Sequence, residues 1–245
     1  MNTSLSISRS GLKGLQNHLD ITSNNIANVN TIGYKQKNTN FYELLRNDIT
    51  EQGNQLPDGI SRGVKSTQGQ FNLTQGSLIA GNNPFDLAIA GKGMFGIRLP
   101  NNELAYTRDG AFRFDEAGIL RNSSGNPVEV NLTIPKNNWP VGVPRVSEAG
   151  QISVGNTLVG DIPIFDDNQS SQLIEVGDNQ WVLPNGMQAN QLNNPMIKQN
   201  FLESSNVELA DAMSDMIVTQ RAYSMNAKVL QSSDEMMQRI NEFKQ

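Results

Sequence analysis

The stretch NNIANVNTIGYK (24–35) joins two textures, and its reading decides the fold. Its first half continues an apolar pattern that starts near the N-terminus. Steps of three and four give Leu5, Ser8, Leu12, Leu15, Leu19, Thr22, Ile26 and Val29, six of them apolar. That spacing predicts one narrow stripe on an α-helix, similar to a coiled-coil seam, with Gly11 and Gly14 weakening its start. The pattern then runs into Asn24, Asn25, Asn28 and Asn30 and stops at Thr31-Ile32-Gly33-Tyr34. Asn28 and Asn30 are expected to bond backbone groups where the helix ends, and Gly33 to supply a positive-φ exit. A helix cap accounts for Gly33 but not for four amides in seven residues.

Outward from this point the periodicity fades. Between about Lys35 and Gln75, Gly53, Pro57, Gly59, Gly63 and Gly69 punctuate a polar stretch with one apolar island, Phe41-Tyr42 and Leu44-Leu45. It reads as an extended connector with little regular structure. From Ser77 to Leu192 the texture is short apolar runs between turn residues: DLAIAG (86–91), MFGIRL (94–99), LAYTRDGAFRFD (104–115), VEVNLTIP (128–135), VGDIPIF (159–165) and WVLP (181–184). Turn signals at this spacing predict an antiparallel all-β domain. After Pro195 helical texture returns and holds to Gln245. Leu209, Met213, Met216, Tyr223, Ala227, Leu230 and Met237 fall on one stripe, interrupted by Gln220 and Asp234, with Glu203 to Asn206 as the expected start of the helix and Ser204 or Ser205 as cap. The fold class is therefore α+β: long N- and C-terminal helices packed together around the sequence of a central β domain and an extended connector.

Composition narrows the function. A chain of 245 residues with 37% apolar residues and a mean hydropathy of -0.44 is polar for a tightly packed enzyme domain, and Asn and Gln supply about a fifth of it. A net charge of -5 argues against nucleic acid or an anionic membrane as the main partner. The absence of cysteine excludes disulfides, thiolate metal sites and cysteine nucleophiles. The N-terminus has no apolar core of a cleaved signal, and no apolar run is long enough to span a membrane.

Chemical motifs are few. Gly91-Lys-Gly93-Met-Phe-Gly96 is a literal GxGxxG after a strand-like run, with Asp115 about 20 residues on. A dinucleotide site needs a helix to open at the third glycine. Here Ile97-Arg98-Leu99-Pro100 follows, an alternating strand closed by proline, so a nucleotide-dependent oxidoreductase is the weaker alternative and no cofactor is expected. His18, the only histidine, and the adjacent acids Asp166-Asp167 and Asp115-Glu116 have no neighbouring nucleophile or base. A third alternative, a β-rich binding module with helical oligomerisation arms, would need a ligand pocket within 77–192 that no motif marks. No catalytic, cofactor or metal residue is assigned.

The same blocks resemble a known family. LDITSNNIANVNTIGYKQ (19–36) is similar to the N-terminal motif of bacterial flagellar rod and hook proteins, an Asn-Asn-hydrophobic-Ala-Asn core followed by Thr-x-Gly-Tyr/Phe-Lys. NPFDLAIAGKGMFGI (83–97) and YTRDGAFRFDEAGIL (106–120) resemble the family's β-domain blocks. ESSNVELADAMSDMIVTQRAYSMNAKVLQSSDEMM (203–237) resembles its C-terminal helix block, including Gln220-Arg221, with Ser224 departing from the usual Glu. Block content is most similar to the distal-rod branch, with hook or proximal-rod subunits as alternatives. The resemblance implies a non-enzymatic subunit of the flagellar basal body that self-assembles into a helical tube transmitting motor torque to the hook. It implies identical subunits and other rod and hook proteins as partners, and passage through the flagellar type III export apparatus. It also implies an N-terminal assembly helix (1–35), a connector (36–76), a β domain (77–195) and a C-terminal assembly helix (196–245). The assembly interface expected from these readings comprises Leu5, Leu12, Leu15, Leu19, Ile26 and Val29 with Met213, Met216, Ile217, Tyr223, Leu230 and Met237. Asn25, Asn28, Asn30, Thr31, Gly33 and Tyr34 form the helix-end motif.

Overall fold

The computed structural model describes residues 2–46, 60–166, 172–184 and 187–242. The chain divides into two compact units, one of Met1–Ala27, Lys37–Gln70 and Glu208–Gln245, the other of Asn28–Gln36 and Phe71–Val207. The fold is α+β, with an N-terminal helix, a β-rich middle of short antiparallel strands and a C-terminal helix.

In the first unit, helix α1 (Asn2–Ala27) packs along helix α2 (Leu209–Glu242). The two run in opposite directions: Thr22 Oγ1 donates to Asp215 Oδ2 (3.3 Å), His18 Nε2 lies 2.8 Å from the same oxygen, and Gly11 faces Asn226. A second side of α1 carries the two-stranded sheet of Lys37–Arg46 and Ile60–Phe71. Val64 N–H donates to Ser10 Oγ (3.0 Å), and Asn17 Nδ2 to Ser66 Oγ (3.1 Å). Gly14 is buried there; a Cβ on it would sit 3.2 Å from the Phe41 ring. Gly14, which weakens α1 by propensity, thus lets the sheet approach it closely.

Two expectations need correction here. The stretch read as having little regular structure holds strands of 10 and 12 residues, because α1 supplies a surface for them that local alternation does not reveal. The C-terminal helix does not start near Glu203 but at Leu209. Ile197–Gln199 and Phe201–Glu203 are strands, paired antiparallel with Leu87–Ile89 and Leu78–Ala80. Asn200, at φ 61°, turns the chain between them, and tertiary pairing overrides the helical texture.

The second unit is built around a five-stranded antiparallel sheet in the order Ile164–Phe165, Met94–Arg98, Leu104–Thr107, Gln180–Val182, Ile174–Gly177. A four-stranded sheet orders Pro144–Val146, Gln151–Val154, Thr157–Asp161 and Asn131–Leu132. Leu87, Ile89, Phe95, Ile97, Phe112, Ile152 and Ile164 share one core cluster; Met94, Tyr106, Phe165 and Trp181 form another. Phe95 meets Phe112 edge to face at 5.0 Å, the geometry that aromatic quadrupoles favour.

The GxGxxG glycines serve this packing. Gly91 and Gly93 have φ of 103° and 117°, and a Cβ on Gly96 would lie 2.5 Å from the Phe165 ring. Met94–Arg98 is a strand, so no helix opens toward a pyrophosphate and the oxidoreductase reading has no support. Asp115 is occupied by Arg121 (2.6 Å), whose hydrogen bond holds its carboxyl below the usual range. Gly53, Pro57, Gly59 and Asp167 lie outside the described residues.

Candidate functional site

Two features stand out, one in each unit. In the second unit three charged side chains from distant parts of the chain meet in the interior. Lys35, Glu203 and Arg108 have side chains 0%, 1% and 2% exposed. Lys35 Nζ donates to Glu203 Oε1 (2.5 Å) and to Thr74 O (2.8 Å). Arg108 Nη1 donates to Glu203 Oε2 (3.1 Å), and its Nη2 to Gly91 O (2.8 Å). Gly76 N–H donates to Glu203 Oε1 as well (2.9 Å), the third donor to the carboxylate. One carboxylate thus accepts from an ammonium, a guanidinium and a backbone amide, the arrangement that makes burial of charge tolerable, while Arg108 Nε is buried with no hydrogen-bond partner among the described residues.

The helix-end motif feeds into this cluster. Gly33, at φ 65°, donates its N–H to Glu203 O (2.7 Å), and a Cβ on it would lie 2.5 Å from backbone atoms of Arg108 and Asp109. Its positive φ was expected, but its place is different. Helix α1 ends at Ala27, and Gly33 lies beyond the following turn. The glycine therefore serves close contact between segments of the chain rather than the helix cap. Asn28 does bond at the turn, through Thr31 N to its carbonyl (3.1 Å) and Thr31 Oγ1 to its amide oxygen (3.0 Å), while Asn30 is exposed.

Asn25 works within the first unit. Its Nδ2 donates to Lys37 O (2.8 Å) and its Oδ1 accepts from Lys37 N (2.9 Å).

Tyr34 is buried. Burial, and after it the charge of Glu175, push its phenol up to about 12. The unfolded chain releases this proton near 10.0 while the folded one holds it to about 12, so the unfolded state binds fewer protons in that window. The contribution is full below pH 10 and gone above 12. Denaturant midpoints measured across that range should fall with pH more steeply in the parent chain than in Tyr34→Phe, and a Tyr34→Phe slope equal to the parent's would contradict the assignment.

The second feature is the orientation of α2. The side facing α1 runs through Ala212, Met216, Thr219, Tyr223, Asn226 and Leu230, all buried or half-buried. Its most enclosed members are small or polar, with Thr219 only 4% exposed. The large apolar residues Leu209, Met213, Ile217, Met225, Val229 and Met236 are exposed, Ile217 by 52% and Met225 by 65%. Of the expected interface residues, Leu12, Leu15, Leu19, Ile26, Met216, Tyr223 and Leu230 are half-buried, as is Val29 in the turn after α1; Met213 and Ile217 are turned outward. Gln220 and Arg221 are exposed. Leu5 and Met237 have side chains outside the described set. No described helix is long and apolar enough to cross a membrane.

Sequence comparison bears on both features. Residues 5–35 match the family model described as Flagella basal body rod protein, residues 88–157 the Flagellar hook protein FlgE/F/G D1 domain, and residues 198–243 the Flagellar basal body rod FlgEFG protein C-terminal. The chain is 33% identical over 256 residues to the flagellar basal-body rod protein FlgG of Buchnera aphidicola subsp. Acyrthosiphon pisum, covering 98% of both chains. The chain belongs to the flagellar basal-body rod protein family. The FlgG proteins of Caulobacter vibrioides (32% identical, 96% of this chain and 97% of that one) and Bacillus subtilis (32%, 94% and 95%) align over similar lengths.

In this rod-family chain each matched segment contributes one charge to the buried cluster: Lys35 from the first, Arg108 from the second and Glu203 from the third. The cluster was missed in the sequence because its members are single residues, 168 and 95 positions apart, with no periodic signal. The available hint was Lys35 and Arg108, each close to glycine and aromatic positions in its quoted block.

Proposed function

We propose that this chain is a structural, non-catalytic axial subunit of the flagellar basal-body rod, at the distal position, and that it assembles with identical subunits and with other rod and hook proteins into a torque-transmitting helical tube. The observation that carries the reading is the orientation of α2, which keeps its large apolar side chains on the solvent side. A continuous exposed stripe of this kind is a liability in a lone subunit and an interface in an assembly. Contacts between unlike faces of identical subunits generate an open helical filament. On this reading residues 1–35 and 196–245 carry the assembly helices, 36–76 the connector and 77–195 the β domain. Leu12, Leu15, Leu19, Ile26, Val29, Met216, Tyr223 and Leu230 consolidate the helices, and Met213 and Ile217 face neighbours. The chain reaches the basal body through the flagellar export apparatus.

Immunolabelling of purified basal bodies tests the position. Label in the rod, adjacent to the hook, is the expected result. Label confined to the rod base or to the hook would assign the chain to a proximal-rod or hook position, a reading favoured by the match at 88–157 to the hook-protein D1 description and by a FlgF relative 32% identical over 96% of the chain. Absence from basal bodies would remove the axial reading altogether.

A further inference from the structure

The second unit is assembled from two separated pieces of chain, Asn28–Gln36 and Phe71–Val207. Its final residues act as the hub between them. Glu203 receives Lys35, Gly76 and Arg108 through its carboxylate and Gly33 through its carbonyl. Ser204 N–H donates to Ser77 O (2.9 Å). Asn206 accepts from Gln36 N–H (2.7 Å) and donates from Nδ2 to Asn72 O (2.7 Å) and Thr74 O (3.0 Å). Three residues near the end of the unit, Glu203, Ser204 and Asn206, thus hold segments 33–36, 72–77 and 108.

Before those residues are in place, folding the rest of the unit would bring the Lys35 ammonium and the Arg108 guanidinium into one desolvated space without the carboxylate they share. Two like charges there oppose compaction, and the cost falls away only when the carboxylate enters. Synthesis delivers the N-terminal segments first. We propose that Glu203 is a closing anion: the second unit stays open until residues 203–206 join it, so the five-stranded sheet becomes stable only once the chain through residue 206 is available. The device is a paired-charge lock that couples the arrival of residues 203–206 to closure of the β unit, and it stands independently of the rod assignment.

Pulse-labelled hydrogen exchange during refolding of the full chain tests the order. Amides of Met94–Arg98, Leu104–Thr107 and Gln180–Val182, which make no ladder contact with 203–206, should gain protection in the same kinetic step as Phe201–Glu203. Glu203→Gln, which keeps the shape and removes the charge, should slow that step on the order of tenfold or more, since the contact belongs to the rate-limiting closure. The triple change Lys35→Met, Arg108→Met and Glu203→Leu, which removes all three charges, should restore the rate and let the sheet gain protection ahead of 201–203. Protection of the sheet in an earlier step than 201–203 in the parent chain would overturn the proposal, as would a Glu203→Gln variant refolding at the parent rate. These two outcomes decide it even if the triple variant fails to fold.

Discussion

Gly33→Ala should destabilise the second unit by about 3–5 kcal/mol, the combined order of a strained left-handed backbone and an overpacked contact. Two independent costs meet at this position. A φ of 65° places any Cβ against its own carbonyl neighbourhood, and the new methyl would lie 2.5 Å from the carbonyl carbon of Arg108 and the nitrogen of Asp109. The obstacle is backbone, so no side-chain rotation relieves it. Moving residue 33 also lengthens its 2.7 Å hydrogen bond to Glu203 O and pulls on Lys35 two positions later. Breaking one member of a buried ionic group costs more than the group contributes, because the partners stay buried and uncompensated. Trp181, buried in the same unit, gives the readout. Denaturant unfolding followed by its fluorescence should show the loss as a shifted midpoint. A change under about 1 kcal/mol, within the range of an ordinary surface substitution, would mean that residue 33 is free to move.

Placing aspartates along the outer side of α2, as Met213→Asp, Ile217→Asp and Met225→Asp together, should abolish incorporation into the rod and swimming while leaving the monomer folded. These side chains are 49%, 52% and 65% exposed in the lone chain, so removing them opens no cavity. Burying each against a neighbour would contribute about 1.5–3 kcal/mol per side chain per contact. Each aspartate replaces that gain with a charge that cannot be desolvated without a partner. The volume-conserving control, Met213→Leu with Met225→Leu, should assemble and swim. Circular dichroism of the purified monomers checks folding, and rod fractionation checks assembly. Normal rods built from the triple variant would show that this side faces solvent in the assembly as well.

The terminal helices and the strand-and-turn character of the middle were legible because they rest on local periodicity, which packing rarely overrules over so many residues. Orientation was not. The stripe drawn through Leu209, Met213, Met216, Tyr223, Ala227, Leu230 and Met237 blends two sides of α2, since hydropathy ranks Met213 above Thr219. A helix that must lie close to α1 selects Ala212, Thr219 and Asn226 for the contact and leaves the larger residues outside. The strands of 37–71 were hidden because their supporting surface is a helix earlier in the chain. The Lys35, Arg108 and Glu203 cluster was hidden because it is a single crossing point of three segments, visible only once the strand Phe201–Glu203 is set beside Leu78–Ala80.

Asn25 has a consequence for solubility. A two-stranded sheet has an open side on each strand, and unpaired backbone on such a side can recruit a strand from another chain. The Asn25 carboxamide occupies both the N–H and the C=O of Lys37, at 2.9 and 2.8 Å, much as a neighbouring strand would. It imitates a peptide group from the side of a helix, and because it cannot extend, the ladder has nowhere to propagate from that end. An amide in a stretch that first looked like a helix stop is therefore a guard against runaway strand addition. On the proposed function, that protection suits a subunit whose self-association follows helix faces rather than exposed backbone.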